Sequence, residues 1–163
     1  RKKRFCKKFK KIIKELTLKL KLKDNIFVHR DFHVSNLMSV KNQIGLIDSQ
    51  DALIGNKAYD LASLIDDVRL KTSYSFKEKI FKFYIKKQKN LDIKKFKNDF
   101  EILSVLRNLK IIGIFTRLSL RDRKKNYLRL IPYTWQLINM RIDQNQTFID
   151  LKNLLSQNFK WIK

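Results

Sequence analysis

The 163 residues are one domain's worth of chain, long enough to bury a core, and 44% are hydrophobic, an ordinary fraction for a globular protein. The net charge of +23 at pH 7 is not ordinary. However, its lysines are spread over nearly every expected helix, with no arginine-rich stripe, finger spacing or aromatic-studded strand. Solvated faces are therefore the first assignment, nucleic acid is not the expected partner, and a basic surface would also suit an anionic small substrate such as a nucleotide. The single cysteine, Cys6, excludes an internal disulfide and a multi-cysteine zinc site, and no apolar run reaches membrane-spanning length. The expectation is a cytoplasmic monomer that does not enter membranes.

Phe5, Phe9, Ile12, Ile13, Leu16 and Leu20 recur at helical spacing among lysines, which predicts an amphipathic helix over about residues 4–19. Core packing with a wet basic back is the plain reading of that helix; a membrane-surface helix is the sharper one. Asn25 to His29 reads as a short strand. Leu37–Val40 and Ile44–Asp48 read as two strands joined by a turn at Lys41-Asn42-Gln43. Asp51–Ala58, with Gly55-Asn56, reads as a loop, and Tyr59–Leu70 as a helix. Phe76–Lys87 reads as a helix with Phe76, Ile80, Phe83 and Tyr84 on one face, and Leu91–Leu120 as a long apolar one. Tyr127–Ile142 follows, with Pro132 either in its first turn or kinking it. Thr147–Trp161 closes the chain, with Phe148, Leu151, Leu154, Leu155 and Phe159 facing inward. A few short strands and five helices, without repeats or a linker, make an α+β chain, mostly helical and organised as one unit over residues 1–163.

The stretch that carries chemistry is His29-Arg30-Asp31-Phe32-His33-Val34-Ser35-Asn36, followed by Ile44-Gly45-Leu46-Ile47-Asp48. An Asp after His-Arg, an Asn five positions on, and an Asp ending an apolar strand have the spacing of a phosphoryl-transfer site. Such a site needs one carboxylate to orient a hydroxyl and accept its proton, and hard oxygen ligands for a divalent cation that holds phosphates. Asp31 suits the first role. Asn36 and Asp48 suit the second, with a turn asparagine and a lysine-paired acid as the plain alternatives. Asp51 could assist Asp48 or touch substrate. His29 and His33 straddle a turn with no third ligand near. His29 is expected to be a packed histidine shaping the loop, and His33 either the same or a substrate contact. Asp60 could cap its own helix or brace the loop backbone. Asp66, Asp67 and Arg69 are expected on a solvated face.

These residues, with Gly55-Asn56-Lys57-Ala58-Tyr59-Asp60-Leu61-Ala62, resemble the aminoglycoside phosphotransferase family of small-molecule kinases. Ile47-Asp48-Ser49-Gln50-Asp51-Ala52, Ser63–Arg69, Arg107–Leu118, Arg121-Asp122 and Tyr127-Leu128 resemble more closely its bacterial branch that phosphorylates N-acetylmuramate and N-acetylglucosamine in cell-wall recycling. The likeness spans about residues 26–135. It implies a protein-kinase-like fold and ATP and Mg²⁺ as cofactors, with Asp31 as catalytic base and Asn36 and Asp48 on the metal. It also implies Asp60 behind the catalytic loop, and Gln50, Asp51 and the Arg107–Arg117 segment around a sugar pocket. Two departures stand out. Ser49 replaces the aromatic common after the metal aspartate. No glycine-rich phosphate loop or strand lysine precedes His29, so the expectation is a C-terminal lobe without its nucleotide lobe, with impaired turnover on its own. The alternatives carried beside it are a non-catalytic remnant serving as a binding module, a basic helical nucleic-acid binder, and a kinase with another acceptor such as choline, homoserine or an antibiotic.

Overall fold

The computed structural model describes residues 2–159. Among them the chain is mostly helical, with two small antiparallel sheets. It divides into two compact units: residues 21–104, and residues 1–20 with 105–163.

In the unit of residues 21–104, β1 (Asp24–Val28) pairs antiparallel with β4 (Leu53–Asn56), and β2 (Leu37–Val40) pairs antiparallel with β3 (Gln43–Leu46). The β2–β3 turn is set locally. Lys41 and Asn42 both have positive φ, 46° and 63°, the backbone of a two-residue type I′ turn whose twist matches the flanking strands. The strand β4 lies where the sequence suggested only loop. Gly55-Asn56 looked like turn residues, but the segment is held by a strand 25 or more positions upstream, in register Phe27↔Ile54 and Val28↔Leu53, which no local pattern announces. Gly55 has a packing reason: a Cβ there would sit 2.9 Å from Leu53 Cδ1 and 3.4 Å from Val28 Cγ2.

The helix α2 is Ala58–Ile65, shorter than the expected Tyr59–Leu70, because the chain leaves the helix at Asp66. α3 runs Tyr74–Lys87, capped by Ser73 Oγ accepting from Phe76 N–H at 3.2 Å. Its inward face is the expected one only in part. Tyr84 packs on Phe96 (5.4 Å between ring centroids) and Ile80 is half-buried, as expected, but Phe76 and Phe83 are exposed and Phe81, outside the expected stripe, packs on Phe100 (4.9 Å). Lys77 is buried on that face, its Nζ donating to Ile65 O and lying 3.4 Å from Asp66 Oδ1. α4, Ile93–Arg121, is the long apolar helix expected, and the division between the units falls within it, after Ser104. Near its start Asp92 accepts from Lys95 N–H at 3.0 Å; that backbone hydrogen bond holds the carboxyl below its usual range.

In the other unit α1 (Lys2–Leu18) lies against α6 (Ile149–Asn158). A 3-10 stretch at Lys125–Leu130 precedes α5 (Ile131–Ile142), so that helix starts four residues later than expected, with Pro132 in its first turn, where a missing N–H costs nothing. Phe148, Leu151, Leu154 and Leu155 are buried together with Trp135, Leu137 and Ile138. The expected helix to Trp161 ends at Asn158, and residues 160–161 lie outside the described ones.

Candidate active site

The strand β1 delivers the chain into a loop whose backbone is pinned before it turns. The Asp60 carboxylate, from the first turn of α2, accepts from His29 N–H at 2.7 Å and from Arg30 N–H at 3.0 Å. Arg30 sits in the left-handed region, φ 70°, and its guanidinium donates to Asp51 O at 3.3 Å. Two adjacent N–H groups on one carboxylate hold an otherwise unfavourable backbone in place. His29 is buried, with Nε2 3.0 Å from Ile47 O, which ties the loop to the end of β3.

Asp31 comes next, its side chain about half exposed, while Asn36 is buried at the loop's end in a short 3-10 turn. Asn36 Nδ2 donates to Asp31 O at 2.9 Å, and Asn36 O accepts from Ile47 N–H at 3.1 Å. Because Asn36 directly precedes β2 and Ile47 follows β3, the hairpin brings Asn36 beside Asp48, 12 residues later. The amide nitrogen of Asn36 is taken, so its hard, neutral Oδ1 is the free end. Among the described residues nothing donates to it. Asp48 is exposed, has φ 66°, and has no ion pair among the described residues. An aspartate in this region carries strain, and such strain concentrates at functional sites. The apolar strand that leads to Asp48 is open to solvent, with Ile44, Leu46 and Ile47 exposed, so Asp48 does not finish a buried strand.

His33 is buried with Nε2 3.2 Å from Asp31 Oδ1, near enough for a charge contact but without hydrogen-bond geometry. Gln50 and Asp51 are the exposed centre of a turn closed by Ala52 N–H on Ser49 O at 3.0 Å. Arg107 and Arg117 belong to the other compact unit, the first buried and the second exposed on α4.

Two acids were misread. Asp66 and Asp67 are buried rather than solvated. Asp67 accepts from Val34 N–H at 3.3 Å within the loop after β1 and from Arg69 N–H at 3.0 Å. Asp66 accepts from Ser104 Oγ at 2.5 Å. No local pattern announced this: α2 ends at Ile65, and the turn after it carries both acids inward.

Among the described residues no cluster of three or more His, Cys, Asp or Glu is poised for a metal, and the oxygen pair at Asn36 and Asp48 is of a different kind. Hard oxygens on a tight hairpin fit Mg²⁺, which keeps several waters and takes one or two protein ligands.

Residues 5–91 match the phosphotransferase enzyme family, and the chain belongs to it. At the level of individual relatives, it is 38% identical over 113 residues to an N-acetylmuramate/N-acetylglucosamine kinase of Neisseria meningitidis, covering 66% of this chain and 34% of that one. A kinase of the same name from Caulobacter vibrioides is 32% identical over 120 residues, covering 71% and 33%. One from Pseudomonas putida is 29% identical over 138 residues, covering 81% and 41%. The matched stretch of this chain thus spans about a third to two fifths of the length of these relatives.

Proposed function

We propose that the chain supplies the acceptor-activating part of an ATP- and Mg²⁺-dependent phosphotransferase that acts on a hydroxyl of an amino sugar such as N-acetylglucosamine or N-acetylmuramate. In this reading residues 1–163 are the C-terminal lobe of a protein-kinase-like fold working in the cytoplasm. The observation that carries it is the pair of hydrogen bonds on Asn36, one to Asp31 O and one from Ile47 N–H, which fix the proposed base and both proposed metal ligands on one loop–hairpin junction.

Asp31 orients the acceptor hydroxyl and takes its proton as the oxygen attacks phosphorus; ADP is the leaving group. Its half-exposed carboxylate lets an acceptor reach it. Asn36 Oδ1 and the Asp48 carboxylate would hold Mg²⁺, which when bound neutralises charge on the transferring phosphates. His33, beside Asp31, is placed to contact the acceptor, with Gln50 and Asp51 as further candidates. Asp60, Asp67 and His29 hold the loop.

Two measurements test this. Asp31→Asn is expected to lower kcat for amino-sugar phosphorylation by about 10²–10⁴-fold with KM little changed. Mn²⁺, titrated with nucleotide, should broaden amide signals of Asn36 and Ile47–Ser49 first, and Asp48→Asn should remove that effect. Unaltered turnover by the Asp31 variant, or broadening centred elsewhere, would overturn the assignment.

A further inference from the structure

The charge that looked scattered in the sequence is not scattered on α1. Its 17 residues hold seven lysines and one arginine against Glu15 alone. Among the described residues, Lys11 is the one of these eight with an acidic partner, Glu15 at 3.7 Å. Two clefts, of about 360 and 340 Å³, lie between α1 and α6 and share Lys8, Leu154 and Gln157, so they form one groove. Arg4, Lys8 and Lys11 are spaced four and three apart and make its cationic wall, about 10 Å long at 1.5 Å per residue. Asn153 and Gln157, one turn apart, present exposed side-chain amides on the opposite wall that have no hydrogen bond among the described residues. Phe5 lines one end, its ring stacked on Phe9 at 5.7 Å; Glu15 and Asp150 line the other.

We propose that this α1–α6 groove binds single-stranded nucleic acid, with Arg4, Lys8 and Lys11 on phosphates and Asn153 and Gln157 on exposed base or sugar edges. Cations along one wall and unpartnered amides along the other suit the phosphates and unpaired base edges of a single strand. A membrane surface fits less well. The apolar stripe that would enter lipid is already used, with Leu16 buried, Phe5, Phe9, Ile12 and Ile13 half-buried, and only Leu18 strongly exposed on α1. A duplex keeps its Watson–Crick edges paired and shows the amides only its groove edges. The proposal is independent of the phosphotransfer reading, since neither Asp31 nor the hairpin takes part.

The test is fluorescence anisotropy of a labelled single-stranded 15-mer, oligo-dT or oligo-U, with the 163-residue protein between about 50 and 200 mM salt. Replacing Lys8 and Lys11 together by Gln should weaken binding at least tenfold at low salt. It should also make the slope of log affinity on log salt shallower by about 1.4, two single-strand phosphate contacts at about 0.7 each. Asn153→Ala with Gln157→Ala should weaken binding severalfold and leave the slope unchanged. Lys79→Gln with Lys86→Gln, the same charge change on exposed residues of α3, should alter affinity less than twofold. Circular dichroism confirms that each variant is folded. The proposal is overturned if the α3 pair weakens binding as much as the α1 pair, if a duplex of the same length binds as tightly, or if anionic vesicles are bound while the oligonucleotide is not.

Discussion

At the residue scale, the site rests on a strained aspartate and on buried acids that serve backbone. Asp48, at φ 66°, gives a comparison that separates strain from function. Asp48→Gly and Asp48→Ala should both abolish divalent-ion binding, but the glycine variant should be more stable than the alanine variant by about 1 kcal/mol in urea unfolding, because only alanine retains the left-handed penalty. Equal stabilities would show that the hairpin relaxes. Asp67→Ala leaves the Val34 and Arg69 N–H groups without their carboxylate, an expected loss of about 1–3 kcal/mol in the same measurement. Asp31, Asn36 and Asp48 were singled out in the sequence by a spacing tied to a chemistry, and their roles are the proposal above. Asp67 was not, because its role is visible only once α2 stops at Ile65 and the next residues turn inward.

At the element scale, α3 is fastened by a buried charge. Lys77→Met takes away the ammonium group beside the buried Asp66 carboxylate, and should cost about 3–5 kcal/mol. Adding Asp66→Leu should recover much of that loss. If the double variant is no better than the single one, packing rather than the loss of the ion pair sets the cost. The cap at Asp92 carries a pH dependence. Its carboxyl is held below its ordinary value by Lys95 N–H, so the cap is fully stabilising above the unfolded value of 3.8 and is lost as pH falls through the folded one. The difference in urea midpoint between the protein and Asp92→Ala should therefore be constant near neutrality and vanish in acid. Most helices and the β2–β3 hairpin could be read from period and turn residues. The strand β4 and the inward face of α3 could not, since long-range pairing and the position of Phe96 and Phe100 decide them.

At the scale of the whole molecule, two tendencies oppose each other. The strands expose Phe27, Ile44 and Ile54, each more than half accessible, which favours association. A net charge of +23 repels like molecules and favours separation. Salt screens only the repulsion. Sedimentation should show a monomer at low ionic strength and self-association towards 1 M NaCl, where the screening length is about 3 Å. Replacing Phe27, Ile44 and Ile54 by Ser should suppress it; association that persists in that variant would place the contact elsewhere. Length and composition indicated the surplus charge, but not that apolar strand faces are left open beside it, because alternation in a short strand does not say whether anything covers it.

The hairpin between Asn36 and Asp48 also limits how such a chain can vary. Both residues sit at its open end, and the I′ turn closes the far end. Residues inserted near the tip, one on each strand, lengthen the arm and leave Asn36 and Asp48 where they are. A single residue added to one strand must bulge out or pull the pair out of step. The gap between that asparagine and that aspartate should therefore change in twos among working relatives.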